Sequence, residues 1–173
     1  LKETEDINRV LTAAGQQPGF PSGAPLLAYG HSMGASNLLQ WLPAQNAIRA
    51  AVAVAPFAEL STVMETQAAD KAGGLLTLLV PLLCREVKSR AGFDPARISP
   101  LESAPGIPCP VFFVHGANDN VIPPEQSALL LEACRAPGTC RTVTGGGHSD
   151  ALTAGGMQLQ AEILKFYFQQ TER

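Results

Sequence analysis

The feature that most limits how this chain can fold is a five-residue turn, Gly30-His31-Ser32-Met33-Gly34, set between an apolar run and a helix-like run. Pro25 to Tyr29 reads as a short buried strand, and Met33 to Leu42 reads as a helix that Pro43 ends. A strand that passes straight into a helix needs a sharp backbone turn at its C-terminal end. Glycines at 30 and 34 suit positions where a Cβ would collide with neighbouring strands and with the helix.

The rest of the chain alternates in the same way. Lys2 to Gly15 carries Ile7, Val10 and Leu11 at helical spacing, and Gly15 supplies a stop. A Gly/Pro/Ser loop covers Gln16 to Gly23. Arg49 to Ala55 is an Ala/Val-rich run that stops at Pro56, and Cys109 to Val114 is the most strand-like segment of all. A helix is expected from about Pro124 to Cys134, a short strand near Arg141 to Thr144, and a final helix from about Met157 to Gln170. Such alternation implies an α/β fold: a mainly parallel sheet of about four strands with helices on both faces, in a single domain over residues 1–173. Between Phe57 and Gly106 the pattern breaks into irregular helical segments punctuated by Gly73-Gly74, Pro81, Pro95 and Pro100, which reads as an insertion or lid (57–106) over a site. Four strands are few for a free-standing parallel sheet. The strand at Pro25 to Tyr29 would lack a neighbour on one side, so a partner covering that edge is expected.

Composition narrows the function. With 46% hydrophobic and 16% charged residues and a net charge of −3, the chain offers no basic surface for nucleic acid or anionic lipid, and a small, mostly buried ligand is favoured. The longest apolar stretch, Leu75 to Cys84, is interrupted by Thr77 and Pro81 and falls short of the roughly 18 residues of a membrane span. Cys84, Cys109, Cys134 and Cys140 show no metal-binding spacing, and the three histidines are too scattered for a zinc cluster, so neither metal nor cofactor is expected. Cys134 and Cys140 flank an Ala136-Pro137-Gly138 turn and could approach each other, but buried reduced thiols are the commoner state. The start at Leu1, without a signal pattern, is read as a processing or truncation boundary.

The turn at residues 30–34 has the G-x-S-x-G pattern, and its strand-then-helix context is the one in which that pattern presents a reactive serine. Ser32 would project at the strand's C-terminal end, and the N–H of Met33 at the helix N-terminus would favour a developing negative charge. The bland reading is a glycine-rich turn with a helix-capping serine. What separates the two is a base and an acid, because a serine hydroxyl is a weak nucleophile until its proton is accepted. Asp119 lies in the loop His115-Gly116-Ala117-Asn118-Asp119-Asn120-Val121-Ile122-Pro123, beyond the strongest strand, and His148 lies in Gly145-Gly146-Gly147-His148 after a short strand. Competing residues are His31, expected to point away from Ser32, and His115, expected to make a structural hydrogen bond at a strand end. Glu59 competes for the acid, and Asp150 is too close to His148 in sequence to reach round.

On these motifs, residues 24 to 170 resemble the C-terminal part of α/β-hydrolase-fold serine hydrolases, in the branch similar to serine-aminopeptidase-like, lysophospholipase-like and palmitoyl-thioesterase-like enzymes. The matching segments are Gly30 to Gly34, Ile98-Ser99-Pro100-Leu101-Glu102, His115 to Pro123, and Gly147-His148-Ser149-Asp150. The resemblance implies a triad of Ser32, Asp119 and His148 in the chain order that this fold uses, hydrolysis of an ester, thioester or amide through an acyl-enzyme, and no cofactor. It also implies a larger sheet of which this chain supplies the last four strands. The loop that carries the second oxyanion donor in that family has no counterpart before Lys2. The expected activity is therefore that of a serine esterase or thioesterase, and the alternative is a catalytically impaired module that assembles through its sheet edge. Leu75, Leu76, Leu78, Leu79, Val80, Leu82 and Leu83 are expected either to face the core or to line an acyl site. A flavodoxin-like binding domain fits the length but has no obvious phosphate loop.

Overall fold

The computed structural model describes residues 2–21, 23–72, 76–91 and 94–172. Four parallel strands form one sheet in the order β1-β2-β3-β4: β1 (Leu26–His31), β2 (Ile48–Val54), β3 (Val111–Gly116) and β4 (Gly138–Val143). Helices α1 (Lys2–Gly15), α2 (Met33–Trp41), α3 (Leu60–Ala72), α4 (Val80–Ala91), α5 (Pro100–Ser103), α6 (Glu125–Ala133) and α7 (Ala151–Thr171) surround it.

Because successive side chains on a strand point to opposite faces, the central strands build two cores. On one face Ala51, Ala53, Val111 and Phe113 pack with Leu38, Leu39, Trp41 and Leu42 of the α2 region and Leu130 of α6. On the other, Val52, Val54, Phe112 and Val114 pack against Ala151 and Leu159 of α7. Both central strands read as unbroken apolar runs for this reason.

The edges depart from expectation. β1 runs on to His31 instead of ending at Tyr29, because its ladder with β2 continues through the pair His31 and Val54, which compresses the turn onto Ser32. β3 lies two residues later than the apolar run suggested. β4 begins at Gly138 rather than near Arg141; as an edge strand it needs no apolar face, so exposed Thr139 and Arg141 concealed it. The last helix begins at Ala151, six residues before the expected Met157, with a break at Gly156, where φ is 59°. The break falls immediately before the expected start at Met157.

Residues 57–106 hold α3, α4 and α5 with short 3-10 turns between them. Gly73, Gly74 and Leu75 lie outside the described residues, as do the side chains of Leu76 and Leu83. Of the remaining leucine-rich stretch, Val80 is buried, whereas Leu78, Leu79 and Leu82 are exposed. All four cysteines are free; burial pushes the thiols of Cys109 and Cys134 up to about 11, which keeps them protonated. Among the described residues no helix is long and apolar enough to cross a membrane.

Beside β1 the sheet is open. A cavity of about 680 Å³ lies between α1, β1 and α2, with Ile7, Leu11, Leu26, Ala28 and Leu38 among its lining residues. Leu27 and Tyr29 of the same strand also border it and are exposed.

Candidate active site

Three loops leave the C-terminal ends of β1, β3 and β4, and in a parallel sheet those ends share one rim. They carry Ser32, Asp119 and His148.

Ser32 is held in a backbone conformation that L-residues rarely adopt, φ 52° and ψ −123°. Its N–H donates to the Val54 carbonyl of β2 (2.8 Å), and its carbonyl accepts from Ser36 in the first turn of α2 (3.1 Å). Strand and helix thus grip the serine from both sides. The turn is tight enough that a Cβ on Gly30 would lie 2.6 Å from Cα of Ala35. Gly34 is different from expectation. A Cβ there would meet nothing within 4 Å, because Gly34 borders the open cavity beside β1 rather than a neighbouring strand.

Ser32 Oγ lies 2.8 Å from His148 Nε2, and His148 Nδ1 lies 2.8 Å from Asp119 Oδ2. The carboxylate only accepts, so Nδ1 carries the ring proton, Nε2 is left as an acceptor, and the Ser32 hydroxyl donates to it. The other carboxylate oxygen, Oδ1, accepts the N–H groups of Val121 and Ile122, both at 2.9 Å. Burial would raise the Asp119 carboxyl, but the hydrogen bonds from Ile122, His148 and Val121 outweigh it and hold the group below its ordinary value. Asp119 is a buried anion.

His115 is fully buried behind it. Its Nε2 donates to the Ile122 carbonyl (2.8 Å) and lies 3.2 Å from Asp119 Oδ2, while its Nδ1 accepts from the Ser127 hydroxyl (2.7 Å). Burial lowers its pKa, so the ring stays neutral, which fits Nδ1 as an acceptor. The structural hydrogen bonds expected of His115 are present, and its approach to the acid was not foreseen. Only the four-residue spacing between His115 and Asp119 hinted at it.

His148 sits on a glycine loop packed hard against the end of β3. The N–H of Asn118 donates to the Gly146 carbonyl (2.8 Å), and a Cβ on Gly116 would run into the carbonyls of Gly146 and Gly147. The other two acids are occupied locally: Glu59 accepts from Thr62 (3.3 Å), and Asp150 Oδ1 accepts the Gly147 N–H (2.6 Å). His31 makes a contact that the sequence did not suggest. Its side chain reaches the site, with Nε2 2.9 Å from the His148 carbonyl oxygen and the two rings 5.6 Å apart at a 44° tilt. The loop after β4 folds back over β1, and that brings His31 and His148 together.

Met33 opens α2, where the first N–H groups of a helix have no partner within it. Its N–H is therefore available beside Ser32 Oγ for an anion, and the helix dipole adds to that preference. Among the described residues no group of three or more His, Cys, Asp or Glu side chains is arranged to hold a metal.

A family model described as the prolyl oligopeptidase family matches residues 1–173. No curated protein matches the chain. Among solved structures, a Mycobacterium tuberculosis puromycin-hydrolyzing peptidase superposes with a TM-score of 0.70 at 27% identity, over 98% of this chain and 25% of its own. A Pyrococcus horikoshii acylaminoacyl peptidase gives 0.74 at 14% identity, over 98% of this chain and 28% of its own. A Pyrococcus furiosus esterase gives 0.73 at 19% identity, over 98% of this chain and 62% of its own. The last two share the fold with this chain. The chain spans about a quarter of the length of the two peptidases and under two thirds of the esterase.

Proposed function

Given that the chain belongs to the prolyl oligopeptidase family, within the α/β-hydrolase serine hydrolases, we propose that it hydrolyses carboxylic esters or thioesters through an acyl-enzyme on Ser32. The observation that carries this reading is the unbroken run of hydrogen bonds from Ser32 through His148 to Asp119.

His148 Nε2 takes the proton of the Ser32 hydroxyl as Oγ attacks the acyl carbon, and the carbonyl oxygen becomes an oxyanion that the Met33 N–H helps to hold. Asp119, anionic and fixed by its backbone donors, stabilises the resulting imidazolium and keeps the ring in the required orientation. On collapse the bond to the leaving alcohol or thiol breaks, and that group receives the proton from His148 Nε2. Water then enters: His148 removes its proton, the oxygen adds to the acyl carbon, and the Oγ–acyl bond breaks as Ser32 recovers its proton. No cofactor takes part.

A second reading, cleavage of a peptide amide, is supported by the family match and by the two peptidases of similar fold. The chemistry at Ser32 would be the same, with an amine leaving. We also propose that the apolar flank of β1, with the cavity beside it and exposed Leu27 and Tyr29, is covered in the assembled protein.

The test is covalent labelling by a fluorophosphonate, followed by turnover of p-nitrophenyl esters and of aminoacyl amides. Ser32→Ala is expected to abolish labelling and to lower turnover by about 10⁶-fold. Full activity in that variant removes Ser32 from the mechanism, and a wild-type protein that does not label favours the assembly-module alternative. The ester-to-amide ratio decides between the two substrate classes.

A further inference from the structure

We infer that His31 is a positioning residue for His148, a clamp that ties the base's main chain to the strand that carries the nucleophile. Two adjacent residues hold His148 at two points: the Ser32 hydroxyl meets its Nε2 at 2.8 Å, and His31 Nε2 meets its carbonyl oxygen at 2.9 Å. A carbonyl oxygen only accepts, so His31 Nε2 carries a hydrogen and donates it.

His148 follows three glycines, Gly145, Gly146 and Gly147, and Gly145 has φ of +77°. Glycine leaves a backbone many conformations, so such a loop does not by itself hold an imidazole to a fraction of an ångström. External ties must. The Asn118 N–H holds the Gly146 carbonyl, Asp150 holds the Gly147 N–H, and His31 holds the carbonyl of His148 itself. Of these, the His31 bond alone joins the loop to β1. His31 is paired in register with Val54 of β2, so the donor is anchored in the sheet. The tilted contact between the two rings, 5.6 Å between centroids, adds packing along the same side. Any drift of the loop away from Ser32 would break this bond along with the one to Oγ, so His31 couples the base's backbone to the serine's position.

The rate consequences rest on the triad reading above, whereas the positioning itself does not, and the experiment separates them. His31→Leu removes the donor from a half-buried site. His31→Gln restores it, because the amide nitrogen of Gln lies the same number of bonds from Cβ as Nε2 of His. In the intact protein three quantities are measured: the rate of Ser32 labelling with p-nitrophenyl ester kcat and KM, the downfield proton resonance of His148 Nδ1–H in its bond to Asp119, and the thermal midpoint. His31→Leu is expected to fold, to label and turn over about 100-fold more slowly with KM little changed, and to lose or broaden the downfield resonance; His31→Gln recovers most of the rate and the resonance. If His31→Leu labels at the wild-type rate and keeps the resonance, the inference is overturned. If the wild-type protein does not label, the triad reading fails, and the resonance alone decides: lost in His31→Leu supports the clamp, kept overturns it. Equal losses in Leu and Gln variants also overturn it, since the donor would then be irrelevant.

Discussion

The two ends of the hydrogen-bonded run stand in opposite surroundings. Asp119 lies beyond β3, in the middle of the sheet, with both oxygens engaged by Val121, Ile122 and His148 and with fully buried His115 against it. Ser32 lies beyond β1, an edge strand whose flank opens onto a cavity of about 680 Å³. The acid is held by its environment, so its charge and direction are over-determined. The serine is held chiefly by its own backbone, through the strained turn and the bonds to Val54 and Ser36. Rigidity on the serine side is thus local, and rigidity on the acid side is tertiary.

Short of removing the Ser32 hydroxyl itself, the largest expected effect comes from breaking the acid end. Asp119→Asn keeps the shape but lets the amide donate to Nδ1, which favours the wrong imidazole tautomer; ester turnover should fall by about 10⁴-fold with the fold intact by circular dichroism. A drop under tenfold would mean that another group orients His148.

At the serine end two glycines sharpen the contrast. Gly30→Ala drives a methyl into the backbone of α2 and should cost about 2 kcal/mol or more in urea unfolding. Gly34→Ala meets open space and should be neutral or stabilise by about 0.5 kcal/mol. Equal penalties would show that the region beside Gly34 is closed in solution.

The smallest effect is a pH slope from the acid end. The folded state depresses the pKa of His115, so below about 6.5 the unfolded chain binds a proton that the folded one refuses, and stability is lost as pH falls. The slope is at most about 1.4 kcal/mol per pH unit, read as urea midpoints between pH 7 and 5, and His115→Gln should flatten it. Asp119, whose pKa is also depressed, adds its own loss lower down: its stabilisation is present above about 3.9 and disappears as pH falls through its folded value. The His115 loss begins near 6.5 and that of Asp119 only below about 3.9, so a stability that stays flat until pH falls to about 4 would contradict a depressed His115.

Much of this was legible because it is local. Strands β2 and β3 are buried on both faces and read as apolar runs, and the turn at residues 30–34 carries its strand and helix with it. Asp119 and His148 were legible through position, each in a loop after a strand. Concealed features lie where tertiary context overrides pattern: β4, polar because it is an edge, and the first turn of α7, hidden by Gly155-Gly156. Gly34 was misread because its expected neighbour is an open cavity.

By itself the sequence determined the α/β alternation and the sharp turn at Ser32, which depend on residues within a few positions of one another, and the chain order Ser32, Asp119, His148, which is read directly along the chain. Only the tertiary structure decided that His148 meets both Ser32 and Asp119, that His115 backs Asp119, and that His31 reaches over to His148. Those contacts join residues as many as 117 positions apart, and no local pattern encodes where a glycine loop comes to rest. The sheet does, by bringing the C-terminal ends of its parallel strands to one rim.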